Sequence, residues 1–173
     1  MTAGFGPLLR RMGRAVENFQ LSLELNKTRP EEARPREAAF ARGMACLVEI
    51  EGSLERPGGE LSEFRRQVAV LVAANTRGLF PYVFDSLHAA IKSIDDGWYD
   101  PCLRRSALQL FRENYPGAGE LFDADRDITE SVVEMDEWLR ERAPDVEPLL
   151  EGRIPDGLPD GHWWWRLPDH SGL

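Results

Sequence analysis

The sequence predicts an all-α protein, a single-domain bundle of about six helices with a Pro- and Trp-rich extended strap at its C-terminus. Apolar residues recur at alternating steps of three and four along most of the chain, the period of a helix with one buried face. No convincing strand pair and no repeat of fixed length interrupts them. Beyond them, residues 143–173 hold prolines at 144, 148, 155, 159 and 168, which excludes one long terminal helix. The expected division is a bundle over residues 1–150 and a tail over residues 151–173, packed on the bundle or on a partner. A chain of 173 residues fits one domain and buries a substantial core.

The first helix is expected over Pro7 to Asn26, with Leu9, Met12, Val16, Phe19 and Leu23 as its stripe. The second opens near Pro35, a good first-turn residue, buries Phe40, Met44, Leu47 and Leu54, and stops at Arg56-Pro57-Gly58-Gly59. The third runs from Leu61 to Thr76 with Leu61, Phe64, Val68, Leu71 and Asn75 aligned, and Gly78 as its stop. Pro81 opens a fourth that reaches Ile94, with Phe84, Leu87, Ile91 and Ile94 inward. Asp100-Pro101 pairs an N-cap with a first-turn proline and starts a fifth, whose apolar face is Leu103, Ala107, Leu110 and Phe111. Asp127, with Glu130 three residues on, reads as the capping box of a sixth helix that buries Ile128, Val132, Met135 and Leu139.

The net charge is −9. A field of that sign disfavours nucleic acid and anionic membranes, which need clustered Lys and Arg. It suits a basic protein partner. No apolar run approaches the roughly 18 residues of a membrane span. The N-terminal stretch MTAGFGPLLRRMGRAVENF lacks the order of a secretory signal, so a cytoplasmic location is expected.

Catalytic constellations are weak. There is no Ser-His-Asp order, no nucleophile elbow, no P-loop and no dinucleotide fingerprint, and no cofactor is expected. Cys46 and Cys102 form no CxxC and read as reduced thiols. Cys102 follows Asp100-Pro101, where a helix N-terminus lowers a thiol pKa, but no partner base is evident. Asp123, Asp125, Asp127 and Glu134 mimic calcium-loop spacing, yet Ile128 stands where the loop requires glycine. Asp85 and His88 form one carboxylate-x-x-His pair where bundle metalloproteins use two, and His88 reads as partly buried. No metal is therefore expected at either place.

Two stretches remain as partner-binding candidates. The turn Ile94-Asp95-Asp96-Gly97-Trp98-Tyr99-Asp100 combines acids with aromatic anchors. The tail carries Trp163, Trp164 and Trp165, flanked by His162 and His170. Three tryptophans left in water would be an aggregation hazard, so the rings dock on their own bundle or on a partner. Consecutive rings cannot all face inward, which leaves one partly available. The reading is a non-enzymatic acidic protein-binding module, with an immunity protein or antitoxin that covers a basic toxin domain as its concrete form. The alternatives are a metal- or ligand-binding bundle enzyme built on Asp85, His88 and His162, and an oligomerising structural or adaptor subunit.

Overall fold

The computed structural model describes residues 6–55 and 58–167. Among them lie eight α-helices and no strand: α1 Gly6–Thr28, α2 Ala33–Glu51, α3 Gly58–Ala73, α4 Thr76–Ile91, α5 Ser93–Asp96, α6 Tyr99–Asn114, α7 Ala118–Asp123 and α8 Arg126–Arg142. The helices form one all-α domain around one core. Short 3-10 turns follow at Ala143–Asp145, Glu151–Arg153 and Trp163–Trp165.

Helices α1 and α2 pack along each other as a hairpin, and α2 also lies against α4 and α6. Phe19 meets Phe40 edge-on at 5.3 Å, and Phe40 leans on Tyr82 at 5.7 Å, which ties α1, α2 and α4 through their rings. Helix α8 packs on α4. Asn75, buried between α3 and α4, donates to the Ser22 hydroxyl of α1 at 2.9 Å, so a polar link crosses this apolar interior.

Several local expectations need correction. The α1 stripe is rotated: Leu8, Met12, Ala15, Phe19 and Ser22 are buried, while Leu9 is 44% exposed. Leu54 lies beyond the end of α2 and is exposed. Helix α4 begins at Thr76, so Gly78 is a buried residue of its first turn and Pro81 lies inside it. Pro81 is the sixth residue of α4, so it leaves one early carbonyl, that of Arg77, without its i+4 N–H donor. Phe84 and Ile94 are exposed. The cap of α8 is Asp125, whose carboxylate accepts from the Asp127 and Ile128 backbone N–H groups; Glu130 instead pairs with Arg126. Two short helices, α5 and α7, stand where the sequence suggests turns.

The tail is strapped to the bundle. The Gly157 N–H donates to the Gly52 carbonyl at 3.0 Å, just past the end of α2. A Cβ on Gly157 would sit 2.4 Å from that carbonyl oxygen, so the backbones meet only because the position is glycine. Leu158 is buried beside this contact, and the chain then turns over α6.

Candidate functional site

The tryptophan run docks on the first turns of α6. Trp98, Cys102, Arg105 and Ser106 recur at helical spacing and offer one face to it. Residues 163–165 form a 3-10 turn, in which residues three apart eclipse. His162 and Trp165 therefore line up on the same side, and both reach Ser106. Trp163 is half-buried, edge-on to Trp164, whereas Trp164 and Trp165 are 2% and 1% exposed.

Ser106 is the hub. Its Oγ accepts from Trp164 Nε1 at 3.0 Å and from Trp165 Nε1 at 2.7 Å. A hydroxyl has two lone pairs and one proton. With both lone pairs occupied, the proton is donated to His162 Nδ1, 2.9 Å away. That network assigns His162 as the neutral tautomer with its hydrogen on Nε2. Nε2 is buried and has no partner among the described residues. Burial first, then the charges of Arg105 and Arg166, lower the His162 pKa to about 4. A serine within hydrogen-bond reach of a histidine suggests a nucleophile and its base. Here both groups are fully buried and both serine lone pairs are filled, so the pair holds the strap.

Trp164 is held on every side. Its carbonyl accepts from Trp98 Nε1 at 2.7 Å and from the Cys102 thiol at 3.3 Å. Its ring stacks on His162 at 4.9 Å and lies under the Arg105 guanidinium at 4.8 Å. Arg105 also grips Asp136 of α8 through two hydrogen bonds of 2.5 and 3.0 Å. One side chain thereby joins α6, α8 and the strap.

The predicted partner-binding residues separate into two groups. Trp98, Trp164 and Trp165 are buried in this seat, and Tyr99 is half-buried edge-on to Trp165. All four pack within the chain's own fold. Asp95, Asp96 and Asp100 are exposed, with Asp100 paired to Arg104. His162 is fully buried, with its Nδ1 paired to the Ser106 hydroxyl. His170 lies outside the described residues. The Cys102 thiol is pushed up by burial, opposite to the expected effect of a helix N-terminus.

No group of three or more His, Cys, Asp or Glu side chains among the described residues is arranged to hold a metal ion. Asp123 pairs with Arg112, Asp125 caps α8, and Asp85 and His88 are exposed on α4, His88 against the expectation of partial burial. No helix among the described residues is long and apolar enough to cross a membrane. Comparison with family models, curated proteins and solved structures returns no match.

The surface offers a different candidate. On α8, Glu130, Glu134, Glu137 and Glu141 step 4, 3, 4 along the outward face and are all exposed. They line a shallow groove of about 540 Å³ together with Val133, 54% exposed, and Trp138. Sequence reading passed over this stripe, because attention to the inward Ile128, Val132, Met135 and Leu139 hides what the same period does on the outer side.

Proposed function

We propose that this chain is a non-enzymatic protein-binding module for a basic partner, and that α8 carries the contact. The observation that supports this is the carboxylate stripe of α8 around an exposed valine and a half-buried tryptophan. Like charges three and four residues apart destabilise the helix that bears them. Arg126 offsets this at Glu130 only. A basic partner relieves the repulsion, and Val133 and Trp138 supply apolar area for it. An immunity protein or antitoxin that covers a basic toxin domain is one concrete form of this reading. Asp95 and Asp96 extend the acidic surface elsewhere on the chain.

The test is capture of partners from native cells on the intact chain and on a Glu134→Lys, Glu137→Lys variant. A basic protein is expected on the parent alone, with affinity falling as salt rises. Equal capture by both chains, or salt-independent capture, would remove α8 from the reading.

A further inference from the structure

A second surface lies between α1 and α3. Leu9, Met12, Gly13 and Val16 of α1 and Phe64 of α3 floor an open groove of about 780 Å³. Glu17, Glu60 and Glu63 form its rim, and no cation among the described residues lines it. Arg66 holds Glu63, while among the described residues Glu17 and Glu60 carry no ion pair. Arg10, Arg11 and Arg14 line a separate depression that shares only Gly13 and Glu17 with the groove.

Gly13 is the unexpected residue. It sits inside a 23-residue helix, where glycine is a poor helix former. No atom of the described residues lies within 4 Å of the position its Cβ would take, so their packing does not require glycine there. A bare backbone in an apolar floor permits another backbone to approach closely.

We propose that this groove docks a short amphipathic helix whose polar flank is basic. The two walls, Leu9 to Glu17 and Gly59 to Gln67, each run about 12 Å, two turns of helix. That length takes apolar anchors at i, i+4 and i+7. The acidic rim selects lysine or arginine beside those anchors. A second copy of this chain, with a net charge of −9, would bring predominantly like charge to the same rim. The inference stands apart from the α8 reading, since it concerns another face and another contact.

The probe is a synthetic amphipathic peptide with leucine at i, i+4 and i+7 and lysine at its polar positions, titrated into the full chain labelled for NMR. The control peptide keeps the leucines and carries glutamate instead. Amide shifts confined to residues 9–17 and 59–67, with lysine-peptide binding that weakens in salt, are expected. Glu17→Lys with Glu60→Lys should weaken it about tenfold. Gly13→Leu should abolish binding while melting no lower than the parent, and Gly13→Ala should raise Tm by about 2 °C. Shifts on α8 or on residues 95–100 instead would overturn the groove and leave the α8 reading standing. No binding of the lysine peptide, equal binding of the glutamate control, or Gly13→Leu binding as the parent does would each overturn it. Self-association of the free chain that Gly13→Leu abolishes would assign the groove to a second copy and also overturn it.

Discussion

Ser106 satisfies three side chains with one oxygen, so little can replace it. Alanine there leaves two indole N–H groups and an imidazole nitrogen without partners in a buried site. Each costs roughly 1–3 kcal/mol. Ser106→Ala should therefore lower stability by about 3–5 kcal/mol, read as a lower urea midpoint by circular dichroism. His162 sets a pH dependence. Its folded pKa of about 4 lies below the ordinary 6.5, so the unfolded chain binds the extra proton in that interval. The stabilisation is fully present above pH 6.5 and is lost as pH falls towards 4, by up to about 3 kcal/mol. Denaturation between pH 7 and 5, above most carboxylate titrations, should show this slope, and His162→Asn should flatten it. Neither residue was legible as important. The signal available for Ser106 was a polar residue four from Cys102 and four from Leu110, in line with two apolar positions of its helix. The signal for His162 was adjacency to the tryptophans, which spacing could not turn into an orientation.

At the scale of elements, α8 illustrates a cost carried on the surface. Glu134→Lys would replace repulsion by attraction to Glu130 and Glu137, at the expense of an exposed 3.4 Å contact with Trp138. The free chain should gain about 0.5 kcal/mol, measured by chemical denaturation, while partner binding weakens. The helices themselves were largely legible, because the 3.6-residue period survives any error about which residue opens a helix. Phases were less so: Leu8 and Leu9 both fit a stripe, and only the packing of α1 in the bundle buries the first. Helix starts at prolines were also misplaced. Pro35 and Pro101 do sit in first turns, but α4 begins five residues before Pro81, as tertiary contacts at Gly78 and Leu79 outweigh the proline preference.

At the scale of the molecule, the strap completes the core. Trp164 and Trp165 are among its largest fully buried side chains, and they cover Trp98 together with Cys102 and Ser106 of α6. Six amphipathic stripes gave no hint of that gap, since the face that α6 keeps for the strap contains a serine and an arginine. A chain truncated after Gly152 should lose cooperative unfolding and bind a hydrophobic dye. Its Cys102, tested in a Cys46→Ser background, should react with a thiol reagent at pH 8 far faster than in the full chain. Unchanged cooperativity and an unreactive Cys102 would show that the bundle is complete without its tail.

The connection from Val146 to Leu150 joins α8 to the strap and contributes no fully buried side chain. Its work is to keep the tryptophan turn at high effective concentration beside its seat, a role that depends only weakly on linker length. The strap is in this sense a tethered ligand. A chain cut in that connection would become a two-part receptor and peptide. The parts would stay together by the affinity of the seat alone, and a synthetic strap could compete for it in trans.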